Sequence, residues 1–328
     1  MNVYGDISPR TAAYAAKEML TRALPLLVLE KFMQAKTLPA NSSKTMTFRR
    51  YNSLAVNVTP LVEGVTPTSK KITHTDVTVT LDQLGDLVEL TDVIADTHED
   101  PILMEFSGII GEQAAQSIET KRFNVLKAGT NKFYANGVAG RTSVVAAITA
   151  ADQKKIIRAL KRQNAMPITS IVKSTPSFNT ESVLPSYVGI GHTDLENDIR
   201  AMTGFIDVKD YGQTKPMEGE IGAVGPVRYI LSNIFTAYAD GGGAAGSMVS
   251  TSGVSADVYP IIYMAKNAWA GVALKGAFAI HPTVINPSTV SKSDPLGQRG
   301  SIGWKTMQCA VILNDAWMAV AEVAATDL

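Results

Sequence analysis

Two short stretches of the chain alternate apolar and polar residues, the pattern of a strand with one covered face. In the first, 45–51, Met46 and Phe48 share a face; in the second, 76–81, Val77, Val79 and Leu81 alternate with Thr78 and Thr80. They read as the two legs of a hairpin. Residues 52–75 between them contain Pro60, Gly64 and Pro67, and a connection this long inside a compact domain is uncommon unless it has a function. The expectation is an extended loop that reaches onto a neighbouring molecule.

The period then lengthens. Ile102, Phe106, Ile110, Ala114 and Ile118 recur at every fourth position with Ile109 alongside, which predicts a helix with one apolar stripe. Asp100 and Pro101 suit its start, because Asp caps free backbone N–H groups and Pro loses nothing at the first helical position. Extended to Lys127, before Gly129, the helix reaches about 40 Å at about 1.5 Å per residue, the length of a strut. Gly108 and Gly111 within it permit bending or close approach of another backbone. A second helix is capped by Thr149, with Asp152 three residues on, and ends before Pro167. Ile156, Ile157 and Leu160 form its apolar side; Lys154, Arg158, Lys161 and Arg162 crowd the other.

Upstream, Ser8 and Pro9 open a helix over 12–24, Pro25 breaks or kinks it, and 26–33 continue it. Residues 1–39 therefore read as an arm unable to bury its apolar side alone. Beyond Met166 the pattern is mixed: a strand at 168–173, a short helix over 194–202, strands near 227–231 and 259–264, and a flexible loop at 240–253. A turn-rich 294–303 precedes closing strands at 308–313 and 316–324. No tandem repeat and no compositional linker separates independent domains, which leaves an α+β class.

Charge changes this picture most. The net charge is zero, yet residues 1–71 carry +6, 72–120 carry −11 with no Lys or Arg, 121–173 carry +10, and the remainder −5. Blocks segregated by sign favour complementary contact between copies, where electrostatic matching sets register; they could equally meet inside one subunit. Arg49, Arg50, Glu63, Lys70, Lys71, Asp76, Asp82, Asp86 and Glu89, in and beside the long loop, are the expected inter-subunit contacts. Charged residues make up 18%, below the roughly 25% usual in soluble domains, which hints at surface covered by neighbours. The single cysteine, Cys309, has no disulfide partner and suits a reducing cytoplasm. The N-terminus lacks the basic start of a signal peptide and the apolar 24–29 is far shorter than a membrane span, so neither export nor a membrane contact is expected.

Candidate chemistry is sparse. His192, Asp194, Glu196 and Asp198 have ligand types suited to a divalent ion and would centre a metal-dependent hydrolase. The local alternative is a capping box of Thr193 and Glu196, with the acids complementing a helix N-terminus and Gly204 ending it. Gly189 and Gly191 lack the spacing and Lys of a phosphate loop, and no Gly-x-Ser-x-Gly elbow exists. The cluster Gly241, Gly242, Gly243 requires only flexibility. No cofactor is expected. The basic helix face at Lys154, Arg158, Lys161 and Arg162 suits DNA phosphates, which need charge and no particular geometry, or a partner, or solvent alone.

Four runs carry a resemblance: RALKRQNAMP at 158–167, DIRAMTGF at 198–205, GEIGAVGPVRY at 219–229 and DPLGQRGSIGWK at 294–305. They resemble the tailed-phage coat proteins of the N-four-type capsid family. Basic arm, long hairpin, spine helix, mixed domain and returning strands are similar in order to the Hong Kong ninety-seven type capsid fold. The resemblance implies an N-arm at 1–39, an E-loop at 40–92, a P-domain at 93–166, an A-domain at 167–275 and returning strands at 276–328. It further implies hexamers and pentamers of an icosahedral virion shell assembled in the host cytoplasm, with the portal, scaffolding and decoration proteins and packaged double-stranded DNA as partners. An encapsulin-like compartment is the alternative with the same fold. The Lys–Asn cross-link of the fold's founding member is not carried over, because no matching pair aligns.

Overall fold

The computed structural model describes residues 19, 27–39, 41, 43–93, 102–172, 180–212, 215–274, 280–285, 287, 290 and 294–328. The arm helix with its Ser8–Pro9 start and the Asp100–Pro101 cap lie outside these residues, Met19 apart.

Strands Thr45–Tyr51 and His74–Thr80 pair antiparallel as a two-stranded sheet of their own, with Met46 opposite Val79 and Phe48 opposite Val77. The predicted apolar face is the one that is partly covered. It packs with Leu38, Leu81, Val272 and Cys309 against a five-stranded sheet, so burial anchors the base of the hairpin while its far end projects.

The five-stranded sheet is organised by Arg299–Ile312, which pairs antiparallel with Asp82–Thr91, Trp269–Leu274 and His281–Ile285. Along this strand Ile302, Trp304, Thr306 and Gln308 are buried at alternate positions. The spine helix, Ile102–Lys127, lies on that face: Ile110, Ala114 and Ile118 meet Leu90, Ile302 and Trp304. Ile109 departs from the expected stripe and is exposed. Gly111 permits close approach, since a Cβ there would lie 2.3 Å from the Met19 carbonyl oxygen. One turn beyond the first cluster, Phe123 and Leu126 enter a second core with Trp269, Met264 and Phe235. Spine and long strand thus tie two cores together.

The second sheet has eight strands, in the order Lys132–Tyr134, Met318–Val323, Tyr259–Met264, Thr180–Gly191, Val227–Leu231, Glu220–Val224 and Phe205–Asp207, with Ile168–Val172 also on Thr180–Gly191. Its central strands are covered on both faces, which is why their sequences are apolar runs rather than alternations. Tyr259, Ile261 and Tyr263 face the helix Ala150–Arg162 and its Ile156, Ile157 and Leu160. Ile262 and Met264 face the spine side. Thr149 caps that helix as expected, accepting from the Asp152 N–H at 3.2 Å and donating to the Asp152 carboxylate at 2.7 Å.

Several expectations fail for physical reasons. Of the segment read as helix over 26–33, the described residues 27–33 hold a single 3-10 turn, Leu29–Phe32, followed by strand Gln34–Leu38 parallel to Trp269–Leu274. Val28, Leu29, Phe32 and Met33 are buried in this same chain, so the end of the arm does bury its apolar side. The 294–303 stretch is only partly turn: the strand begins at Arg299 and absorbs Gly300 and Gly303, whose added Cβ atoms would lie 2.5 Å from the Pro287 Cδ and 2.8 Å from the Asp86 carbonyl oxygen. Gly189 likewise sits in a strand, 2.9 Å from the Tyr229 ring by the same measure. The 240–253 loop is pinned rather than flexible. Gly242 donates to the Ala256 carbonyl and Gly243 to that of Val144, and a Cβ on Gly242 would lie 2.4 Å from the Val144 oxygen.

Candidate assembly surface

Beyond the hairpin base, residues 52–73 are exposed throughout. Asn52 N–H donates to the Thr73 carbonyl, and a turn closed by Val65 N–H to the Val62 carbonyl places Gly64 at φ 76°, the left-handed position that a type II turn reserves for glycine. Leu54, Val56, Val58, Leu61, Val62 and Val65 are bare, Val56 and Val58 at 87% exposure. This row of apolar side chains is the feature that reading the loop for turn residues missed. Its sequence signal is the alternation Leu54, Val56, Val58, a strand pattern with no covering face among the described residues.

The nine predicted contact residues divide into three sets. Arg50, Glu63, Lys70 and Lys71 are exposed on the hairpin, without an ion pair among the described residues. Arg49 and Asp76 face each other across the ladder and form a two-point pair at 2.8 Å for both bonds, which holds the Asp76 carboxyl below its ordinary value. Asp82 accepts from Lys121 at 2.7 Å and Asp86 from Gln113 at 2.6 Å, both on the spine helix, and both acids are held low by these bonds. Glu89 is exposed on the same strand, Asp82–Thr91. Part of the acidic block therefore meets the following basic block within the subunit.

Deeper in the body, ion pairs fix the frame behind this surface. Glu119 of the spine is fully buried and accepts from the backbone N–H groups of Val28 and Leu29 at 2.8 and 2.6 Å. Burial pushes its carboxyl up, opposed by Arg122. Arg122 also bonds Glu30 at 3.0 Å and Gln308 at 2.6 Å, so the spine, arm and long strand share one polar knot. In the second sheet Glu322, fully buried, takes both forks of Arg141 at 2.7 Å and Lys132 at 3.0 Å. Burial alone would raise its carboxyl, but these cations hold it below the ordinary value. Cys309 is buried in the sheet, and burial pushes its thiol up to about 11.

The His192 cluster does not converge. His192 itself is the cap, its Nδ1 accepting from the Asp194 N–H at 3.1 Å, which replaces the expected Thr193 and Glu196 box. The cause is the 3-10 turn Thr193–Leu195 that precedes the short helix Glu196–Arg200 and shifts the cap by one residue. Asp194 accepts from Tyr259, Glu196 from Arg200, and Asp198 from the backbone and hydroxyl of Thr326. Among the described residues no three His, Cys, Asp or Glu side chains gather as a metal ion requires. Lys154, Arg158, Lys161 and Arg162 are all exposed on the helix Ala150–Arg162, beside a shallow groove floored by Ile157 and Pro226.

An isolated hairpin with an apolar loop, a spine helix spanning two cores, and a two-sided sheet define a protein whose working parts are surfaces. The phage capsid protein family matches residues 75–323, and the chain belongs to it. No curated protein matches the sequence directly. Among solved structures, the capsid of Ralstonia phage GP4 is similar at TM-score 0.66 and 11% identity, over 90% of this chain and 88% of that one. The capsid of cyanophage Pam1 is similar at TM-score 0.60 and 13% identity, over 94% and 93%. The holo-SrpI encapsulin of Synechococcus elongatus PCC 7942 is similar at TM-score 0.51 and 9% identity, over 89% and 86%. The fold is of the Hong Kong ninety-seven type expected from the sequence.

Proposed function

We propose that the chain is the major capsid protein of a tailed phage, building hexamers and pentamers of an icosahedral head around double-stranded DNA. The observation that carries this reading is the projecting loop at 52–73, whose apolar row is exposed and has no cover among the described residues. Large apolar side chains exposed in a cluster along one segment mark a contact site. A loop held to its own body only at its base suits contact with an adjacent copy. Stable interfaces bury about 1,600 Å², and a subunit that reaches several neighbours reaches such totals from individually modest contacts. Arg50, Glu63, Lys70 and Lys71 set the register of that contact in this reading. The role is architectural and the site is the virion shell, with a portal protein as the partner this reading implies and scaffolding and decoration proteins as further candidates.

Expression of the full chain alone and with neighbouring gene products, followed by negative-stain imaging, tests the proposal. Closed shells are expected; rings, tubes or unassembled subunits under all conditions overturn it. The encapsulin likeness supports a second reading, a protein compartment holding enzyme cargo. Particles purified from infected cells with double-stranded DNA inside favour the head; particles filled with protein cargo favour the compartment.

A further inference from the structure

Many cations among the described residues bond acids, but four on one helix do not. Lys31 bonds Glu218, Arg49 bonds Asp76, Lys121 bonds Asp82, Arg141 and Lys132 bond Glu322, and Arg228 bonds Glu220. On the helix Ala150–Arg162 itself, Lys155 bonds Asp152. The four remaining cations of that helix, Lys154, Arg158, Lys161 and Arg162, are exposed and have no acidic partner among the described residues. Spacings of three, four and seven residues place 154, 158, 161 and 162 on one stripe, and at about 1.5 Å rise per residue the stripe is roughly 12 Å long. The last turn accounts for Lys161 and Arg162, where cations complement the negative helix end. Lys154 and Arg158 lie too far from that end for the same explanation.

Among the described residues a second copy of the chain offers no matching acidic row: of the exposed acids without a Lys or Arg partner, Glu63, Asp86, Glu89, Glu105, Asp194, Asp210 and Asp327, only Asp86 and Glu89 share an element. A nucleic-acid backbone does offer one, with a negative charge about every 1.7 Å of duplex axis and no demand on geometry. No aromatic residue is interleaved with the four cations, so the stripe lacks the stacking platform of a single-strand reader.

We propose that Lys154, Arg158, Lys161 and Arg162 form a phosphate-binding stripe that holds the backbone of duplex DNA without reading its sequence. The proposal rests on the capsid reading and names the face of the subunit that meets the genome. Four neutralised phosphates give a slope of log affinity against log salt of about −3.6, so raising salt fourfold from 50 to 200 mM weakens binding by roughly 150-fold.

The test is binding of a fluorescent 30-base-pair duplex to the full chain held unassembled at low concentration, compared with the variant K154Q/R158Q/K161Q/R162Q. All four side chains are exposed and unpaired, so the variant should fold, as circular dichroism will check. The wild type should show the salt dependence above, and the variant should lose at least 100-fold in affinity at 50 mM salt with a nearly flat salt slope. Equal duplex binding by the two chains overturns the proposal. So does tighter binding of a 20-residue polyglutamate than of the duplex, which assigns the stripe to an acidic protein. Imaging keeps the two readings apart: shells from the variant with weakened duplex binding support both, whereas no shells from either chain removes the capsid reading and leaves the binding result to stand or fall alone. A variant that binds duplex normally yet makes no shells places the stripe between subunits and overturns the proposal.

Discussion

At the scale of single residues, the buried pair Arg141–Glu322 shows how burial and charge compete. Glu322 is fully enclosed, and only its bonds to Arg141 and Lys132 keep the charged form favourable. Removing one partner of a buried pair typically costs about 3–5 kcal/mol, because the other charge is stranded. Lys132 remains in Arg141→Ala, so a loss of about 2–3 kcal/mol is expected, read as a lowered urea midpoint. The pH dependence follows from the depressed carboxyl. The unfolded chain binds this proton more readily than the native one, so the stabilisation is complete above the ordinary value of 4.5 and is lost as pH falls through the lower native value. Glu322→Gln should therefore flatten the acid limb of stability below about pH 4.5 while lowering stability at neutral pH; an unchanged acid limb would show that other carboxylates govern it. Gly242 poses a purely steric case. With the Val144 oxygen 2.4 Å from where a Cβ would stand, Gly242→Ala should destabilise by about 1–3 kcal/mol, and a melting temperature equal to wild type would contradict so close an approach.

At the scale of elements, the hairpin divides into a base that belongs to the subunit and a loop that does not. Val56→Asp with Val58→Asp alters two side chains at 87% exposure, so the isolated subunit should keep its melting temperature while shell formation is lost. Lys70→Glu with Lys71→Glu should likewise impair assembly with the fold intact; normal particles from that double variant would remove these two lysines from the contact. The hairpin legs, the spine, the Thr149 cap and the strands Val227–Leu231 and Tyr259–Met264 were legible in the sequence because local periodicity and capping fix them. What escaped was set by partners distant in sequence. Strand Gln34–Leu38 exists because Trp269–Leu274 pairs with it, and Thr180–Gly191 is a strand although Pro185, Gly189 and Gly191 interrupt its pattern. The triple glycine at 241–243 reads as flexibility in the sequence, since a close approach to the Val144 oxygen leaves no mark there. The apolar row of the loop is in plain view in the sequence, but only its exposure among the described residues makes it a surface.

At the scale of the whole molecule, the spine helix joins two of the four apolar cores among the described residues, and the question is whether they melt together. Ile110, Ala114 and Ile118 of the spine enter the core with Leu90 and Trp304, while Phe123 and Leu126 of the same helix enter the one with Trp269 and Phe235. A continuous helix cannot lose one half of its packing and keep the other without unpairing backbone groups, and the strand Arg299–Ile312 repeats the linkage across the sheet. The unassembled subunit should therefore unfold in one calorimetric transition. Phe123, fully buried and stacked on Phe235 at 4.7 Å between ring centroids, is the place to probe this. Phe123→Ala should cost about 3–5 kcal/mol and lower the whole transition rather than split it. Assembly adds a term that neither core supplies. Contacts made only by the folded, assembled state raise the melting temperature by mass action, so shells should melt above free subunits, and the Val56 and Val58 variant should show the subunit value at every concentration. Two resolved transitions in the free subunit would mean that the spine helix does not couple its cores.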